Sequence, residues 1–387
     1  MRPMPGQLLD RLVRPDVRVF GRLRSAFQVC GYSGLALAIL LAMTLVLRRG
    51  LSPLVMACVV LSAVASFFAL AMATKILTGR ENLVYYYHEF AALAFAAVFL
   101  WLSQQPVLEY LDATILGIGA FLACGRIGCL MVGCCHGRPC GWGVRYRPEH
   151  AAAGFPGYLM GVRLFPVQLV ESAWVLGVVA LGSYLVLIGE PPGAALARYV
   201  VMYDLGRFSL EFLRGDTVRR YHYGFSEAQW ISVLLMVAVA AGELGGLLPL
   251  QAWDIAATVG VILVMIGVAV GRRKLTTYQI LQPHHVREVA EALGRASTDG
   301  GTGERDGSSD DIRLFLTSLG YRISTGVVAV GPERVRHYGL SSVDRRITRE
   351  TAQALADLII LLEQTPCRSQ IVEGRRGVFH LLVRAAA

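Results

Sequence analysis

Tyr199-Val-Val-Met-Tyr-Asp-Leu-Gly-Arg-Phe-Ser-Leu-Glu-Phe-Leu-Arg-Gly-Asp216 sets three charged side chains, Arg207, Glu211 and Arg214, into a mostly apolar run. Their spacing is i, i+4 and i+7, which on a helix points all three the same way. The run from Tyr199 places that charged face in or at the edge of a membrane helix. Each charge near a bilayer centre costs about 2.5–3.5 kcal/mol on insertion scales. A chain that keeps three there has a use for them, and two guanidiniums on one face suit the holding of an anion.

The sequence around this run is that of a membrane protein. Of 387 residues, 55% are hydrophobic and 17% are charged, and the mean hydropathy is +0.51. Soluble domains are nearer one quarter charged. A span needs roughly 20 apolar residues. Stretches of about that length run Gly31–Leu47, Pro53–Thr74, Leu83–Leu102, Ala113–Val132, Pro166–Ile188, Ala195–Leu213, Ala228–Leu248 and Trp253–Val270. The expectation is an all-α polytopic membrane protein with seven or eight transmembrane helices, followed by a small α+β soluble C-terminal domain.

The two ends differ from this body. Residues 1–27 form a basic arm carrying Arg2, Arg11, Arg14, Arg18, Arg22 and Arg24, read as amphipathic and anchored at anionic headgroups. The arm lacks the early apolar region and cleavage site of a secretory signal. The net charge of +9 suits an acidic membrane surface, and no nucleic-acid partner is expected. The transmembrane part covers 28–271. Residues 272–310 follow as a basic helix, with Val286, Val289 and Leu293 at helical spacing, and a flexible linker over Ser297–Asp310. Residues 311–387 read as the soluble module: a short helix over Ile312–Leu319, a strand over Tyr321–Val330, an amphipathic helix over Thr348–Glu363, and a hairpin of Ser369–Glu373 with Gly377–Val383. No catalytic motif stands out in it, and its partner is left unassigned. With eight spans both termini are cytoplasmic, as are the loops bearing Lys75, Arg80, Arg138, Arg145, Arg147, Arg163, Arg219 and Arg220.

Of eight cysteines, five crowd one segment: Cys124, Cys129, Cys134, Cys135 and Cys140, with His136 among them. Small thiols packing a membrane helix, a disulfide, and a thiol–imidazole zinc site are all open readings. The paired C-x2-C spacing of zinc sites is missing, and no metal is assigned.

Further polar positions precede the opening run. Gly125-Arg126-Ile127-Gly128 closes the fourth span, with glycines that allow close approach to the backbone. Phe165-Pro166-Val167-Gln168-Leu169-Val170-Glu171 opens the fifth, and Tyr85-Tyr-Tyr-His88-Glu89 opens the third. Together with Arg207-Phe208-Ser209-Leu210-Glu211-Phe212-Leu213-Arg214, these resemble the bacterial prolipoprotein diacylglyceryl transferases. The family signature runs G-R-x-G-N-F-x-N-x-E, then H-P-x-Q-x-Y-E, then R-F-x-x-E-F-x-R. Order and rough spacing agree, as does Gln229-Trp230 after the third motif, over about Gly31 to Leu248. The chain departs from the pattern at Cys129, Val132 and Cys134, where the family has Asn, Asn and an acidic residue. It departs again at Phe165, where the family has His, and in lacking the glycines after His88.

The resemblance implies transfer of a diacylglyceryl group from phosphatidylglycerol to the lipobox cysteine thiol of a lipoprotein precursor, at the bacterial plasma membrane, with no cofactor. Glycerol phosphate leaves. On this reading Arg126 and Arg207 clamp the phosphate, Glu211 orients Arg207, and His88 takes the thiol proton. Arg214, Gln168, Glu171, Gly125 and Gly128 contact substrate, with Arg214 and Asp216 also suited to an interfacial anchor. The competing readings are a divergent paralogue with another acceptor, and a non-catalytic membrane lipid-binding or sensor protein.

Overall fold

A computed structural model describes residues 5–79, 85–272, 276–298, 313–330, 333–343, 346–363 and 367–385. In chain order the elements begin with α1 (Pro5–Leu12), β1 (Asp16–Val19) and β2 (Arg22–Ser25). Then come α2 (Ala26–Arg48), α3 (Pro53–Thr78), α4 (Tyr85–Leu102) and α5 (Val107–Val132). Strands β3 (Pro139–Arg145) and β4 (Arg163–Leu164) precede α6 (Val167–Ile188) and α7 (Ala194–Glu211). The hairpin β5 (Tyr221–His222) and β6 (Phe225–Ser226) leads into α8 (Glu227–Leu244), α9 (Ala252–Arg272), α10 (Thr276–Ile280) and α11 (Pro283–Thr298). The C-terminal module contains β7 (Arg313–Leu316), β8 (Tyr321–Val330), β9 (Glu333–Ser342), α12 (Arg349–Glu363), β10 (Cys367–Glu373) and β11 (Phe379–Ala385).

Each of the eight apolar stretches is helical over most of its described residues. Six of them, α2, α3, α5, α6, α8 and α9, are long and apolar enough to cross a membrane. Helix α4 offers a shorter apolar stretch, His88–Leu102, and α7 carries the charges. Helix α5 is the central post, with 61% of its apolar window buried, against 17% for the peripheral α3. It packs on α2, α6 and α7 through Ala113, Leu116, Ala123, Val175, Val179 and Tyr199. Asp112 of α5 anchors the start of α7 by accepting from Gly193 N at 2.8 Å and Leu196 N at 2.7 Å. A carboxylate at a helix start satisfies donors that the helix leaves unpaired. At the start of α8, the Ser226 hydroxyl accepts from Gln229 N at 3.3 Å, and Gln229 Oε1 accepts from Ser226 N at 3.0 Å. This reciprocal cap leaves Gln229 Nε2 to donate to the Phe208 carbonyl at 3.2 Å. The starts of α6 and α8 thereby meet the ends of α5 and α7 at one end of the bundle.

The N-terminal arm combines the short helix α1 with a hairpin. Residues after α1 turn back as a β1–β2 hairpin, with Phe20 and Gly21 at φ 48° and 76°. Two consecutive positive φ values make the tight turn whose twist suits a two-stranded hairpin. Asp10 then fastens α1 to the α5–α6 connection: it pairs with Arg163 at 3.2 Å and accepts from Arg145 N at 2.8 Å.

The C-terminal module is a five-stranded antiparallel sheet, order β10-β11-β9-β8-β7. Helix α12 covers one face through Leu355, Leu358 and Ile359, against Ile323, Leu340 and Leu381. The strand over Tyr321–Val330, the helix and the hairpin agree with the sequence reading. The expected helix over Ile312–Leu319 does not form: Arg313–Leu316 pairs with β8 as an edge strand. Four residues gain a ladder of backbone bonds there, which local helical preference cannot match. Strand β9, the middle strand of the sheet, was not anticipated, because its polar run shows no clean alternation. The linker falls mostly outside the described residues, as do Arg2 and Arg80. One continuous apolar cluster joins Val144, Tyr146, Leu159 and Leu164 of the α5–α6 connection to Ile280 and Val289, and on to α12. The module therefore rests on the same end of the bundle as the charged residues.

Candidate functional site

Glu171, one turn into α6, is the hub of the charged cluster. It is 1% exposed. Its Oε1 lies 3.0 Å from Arg126 Nε and 3.9 Å from Arg207 Nη1, and its Oε2 lies 3.5 Å from Arg214 Nη1. Three arginines from separate parts of the chain thus converge on one carboxylate. Arg207 also pairs with Glu211 at 2.9 Å, as the i, i+4 spacing predicts. Arg219 reaches Glu211 at 3.0 Å and Asp216 at 3.2 Å, and Asp216 holds Arg214 Nε at 3.0 Å. Within this ion-paired set, four guanidiniums face three carboxylates.

Arg214 is placed differently from the sequence expectation. Helix α7 ends at Glu211, so helical periodicity does not carry Arg214. An isolated bridge to Gly137 does, reinforced by Gly215 N donating to the His136 carbonyl at 2.9 Å and Arg138 N to the Leu213 carbonyl at 3.0 Å. Arg214 is 0% exposed. This corrects the interfacial-anchor reading, because the side chain is walled in by Glu171 and Asp216. Its Nη2 is buried with no hydrogen-bond partner among the described residues.

The other predicted positions divide. Gln168, fully buried, donates to the Cys134 carbonyl at 2.8 Å and so fixes the turn after α5. Gly125 faces open space, whereas Gly128 lies against α2, where an added Cβ would meet Cys30 Cβ at 3.1 Å and Phe27 Cα at 3.2 Å. His88 is buried and its ring packs on Phe67 of α3, centroids 4.5 Å apart. The sequence reading missed Arg219 and Tyr203 as members of the cluster and took Asp216 only as an anchor's partner. Tyr203, one turn before Arg207, lies in the field of Glu171, Arg207, Arg126 and Glu89. Its i, i+4 offset from Arg207 was the available signal. Arg219 carries none, since it follows an irregular loop.

Two expected results follow from the loop that seats Arg214. An added Cβ at Gly137 would collide with the Phe165 carbonyl oxygen and crowd Phe165 Cβ at 2.9 Å. Gly137→Ala is therefore expected to destabilise the protein by about 1–3 kcal/mol, read as a lowered melting temperature in detergent. Asp216 is the second case. Burial acts to raise its carboxyl, but Arg214 and Arg219 outweigh burial and hold it below the ordinary range. A depressed native value stabilises fully above the unfolded value of about 3.9 and is lost as pH falls through the native one. Asp216→Asn is expected to melt below the wild type at neutral pH, with the gap closing below about pH 4. A gap that persists unchanged at lower pH refutes the ion-pair role.

The arrangement is a desolvated guanidinium cluster at the end of a helix bundle, suited to an anionic headgroup. The family model for prolipoprotein diacylglyceryl transferase matches residues 25–244, more than half of the chain. The chain belongs to this family. The prolipoprotein diacylglyceryl transferase match contains Arg126, Glu171, Arg207 and Arg214. The chain is similar to phosphatidylglycerol–prolipoprotein diacylglyceryl transferase 2 of Clostridium perfringens, 33% identical over 141 residues, which cover 35% of this chain and 51% of the relative. It is also similar to transferase 2 of Streptomyces coelicolor, 32% identical over 159 residues, 39% of this chain and 48% of the relative. A Dehalococcoides mccartyi transferase is 28% identical over 151 residues, 38% and 56% of the respective chains. The chain spans about half the length of the curated relatives it matches.

Proposed function

We propose that this protein moves a diacylglyceryl group from phosphatidylglycerol to the lipobox cysteine thiol of a lipoprotein precursor, releasing glycerol phosphate. The convergence of Arg126, Arg207 and Arg214 on the buried Glu171 carries this reading. A thiolate attacks the glycerol carbon as its C–O bond to phosphate breaks, so negative charge grows on the departing phosphate. Guanidiniums fixed in advance at that place stabilise the charge without reorganising. Arg126 and Arg207 act as the clamp, Glu211 holds Arg207 in register, and Glu171 keeps the arginines from repelling one another. Arg214, with a buried donor at Nη2, and Gln168 shape the headgroup pocket. Gly125 leaves room for the ligand beside Arg126. His88 accepts the thiol proton.

Phe208 and Phe212, from the same motif as Arg207, line an apolar groove of about 430 Å³ with Trp253, Ala257 and Val261 of α9. On this reading an acyl chain lies there. The parts of the chain are an N-terminal arm (1–27), a transferase unit (28–271), a basic helix and linker (272–310) and the C-terminal module (311–387). The module and the arginine cluster lie on the cytoplasmic side of a bacterial plasma membrane, which the basic loops favour.

The test supplies purified protein in micelles with phosphatidylglycerol and a lipobox peptide, and follows lipidated peptide by mass spectrometry. Lipidated peptide and glycerol phosphate in equal amounts support the reading. Glycerol phosphate without lipidated peptide points to another acceptor, a reading favoured by Cys129 and Cys134 at positions where the family signature is polar. Neither product, with lipid still bound, points to a sensor.

A further inference from the structure

Three thiols meet at the turn after α5 and have no part in the proposed transfer. The sulfurs of Cys129, Cys134 and Cys135 all lie within 4.8 Å of one another. Spacing in the sequence gives no such group, because this segment has no C-x2-C pair. The fold makes it. Cys129 lies in the last turn of α5, and Gly133 caps that helix in a left-handed conformation, φ 86°, donating to the Cys129 carbonyl at 2.9 Å. Cys135 is left-handed too, at φ 55°, which is uncommon for a residue with a side chain. These two residues fold the turn back and bring its thiols to that of Cys129. Gln168 Nε2 holds the Cys134 carbonyl at 2.8 Å. Packing does not account for the group: Cys129 is buried and Cys135 half-buried, but Cys134 is exposed, where a thiol fills no core. Cys129 and Cys134 also stand where the family signature has Asn and an acidic residue, so soft sulfur replaces harder donors. His136 and Cys140 are engaged elsewhere. His136 Nδ1 donates to the Gly137 carbonyl at 3.0 Å, with its ring edge-on to Phe155, and the Cys140 thiol donates to the Trp142 carbonyl.

We propose that Cys129, Cys134 and Cys135 bind one thiophilic metal ion, zinc(II), through three thiolates. Zinc–sulfur bonds of about 2.3 Å set tetrahedral ligand sulfurs roughly 3.8 Å apart, a separation that the present spacing approaches. The exposed side of Cys134 leaves the fourth position to water or another small ligand. Binding displaces three thiol protons to the buffer. Three thiolates around a dication leave one negative charge on the complex. That charge suits the neighbourhood. Arg126 precedes Cys129 by about one turn of α5, and Gly137, just after Cys135 in sequence, bridges Arg214. Arginines that oppose a bare cation attract its thiolate complex. The ion fastens the end of α5 to the turn that seats Arg214, and so braces the charged cluster. It touches no lipid and takes no step of the transfer.

The full chain, free of any affinity tag, is purified in detergent with a phosphine reductant and titrated with zinc. The expected result is uptake of one equivalent, and cobalt in its place shows a thiolate-to-metal charge-transfer band. Zinc is expected to shield Cys129, Cys134 and Cys135 from alkylation, read by peptide mass mapping. That readout uses the wild-type protein and needs no variant to fold. Cys134→Ser and Cys135→Ser each lose the bound equivalent, whereas Cys140→Ser keeps it. Chelation lowers the melting temperature of the wild type and leaves that of Cys135→Ser where it was. Failure of the reduced protein to take up zinc overturns the proposal. So does shielding of other thiols instead, or uptake that survives in both Cys134→Ser and Cys135→Ser. A disulfide among the three that reductant does not convert to a zinc-binding form has the same force. A melting temperature that chelation does not move overturns the brace. Metal is read directly here, so a failed transfer assay leaves the result standing.

Discussion

Arg207→Ala is expected to lower the rate of diacylglyceryl transfer by about 10²–10³-fold, the loss measured when one preorganised charge-stabilising group is removed from a dry site. The variant separates catalysis from folding because the structure re-pairs what Arg207 leaves. Glu211 keeps Arg219 at 3.0 Å, and Glu171 keeps Arg126 at 3.0 Å and Arg214 at 3.5 Å. No buried carboxylate is orphaned, so the melting temperature in detergent is expected to move little. Arg207→Lys keeps the charge but not the planar fork that matches two phosphate oxygens, and is expected to fall between the two. The assay is lipidated peptide per unit time at saturating lipid, with melting measured on the same preparations. A full transfer rate in a well-folded Arg207→Ala protein sinks the clamp role.

Glu171→Gln is expected to act on folding first. The carboxylate is 1% exposed and faces three guanidiniums, of which Arg207 and Arg214 are 3% and 0% exposed. Removing its charge leaves like charges close together in a region with little water to screen them. Breaking a buried ion pair from one side typically costs about 3–5 kcal/mol, and here one carboxylate serves three partners. The expected outcome is poor accumulation in the membrane, or a melting transition well below the wild type. Glu171→Asp retains the charge on a shorter arm and is expected to recover part of the loss. A wild-type transition in Glu171→Gln shows that the arginines do not depend on the hub.

Much of the architecture was legible in the chain. A helix that crosses lipid satisfies its backbone internally and needs a long apolar run, and each such run here is a helix. The i, i+4 pair of Arg207 and Glu211 was equally legible, because helical neighbours are fixed by local geometry. Arg126, Gln168 and Glu171 stood out as polar positions in apolar company. The role of Glu171 did not, since its partners come from three separate elements and no local period relates them. Arg214 was misplaced for a related reason: the i+7 spacing presumes a helix that ends at Glu211. In the C-terminal module, β7 read as helix and β9 went unread. Short strands take their stability from neighbours distant in sequence.

The sequence by itself determined the membrane-spanning helices, the arginine-bearing motifs and most of the C-terminal module. Each of these rests on composition or on contacts within a few residues. Only the tertiary structure decided that the arginines share one carboxylate, that Arg214 is buried, and that the sulfurs of Cys129, Cys134 and Cys135 lie within 4.8 Å of one another. Charge pairing and thiol proximity act through space across helix ends, and sequence order does not encode which ends meet.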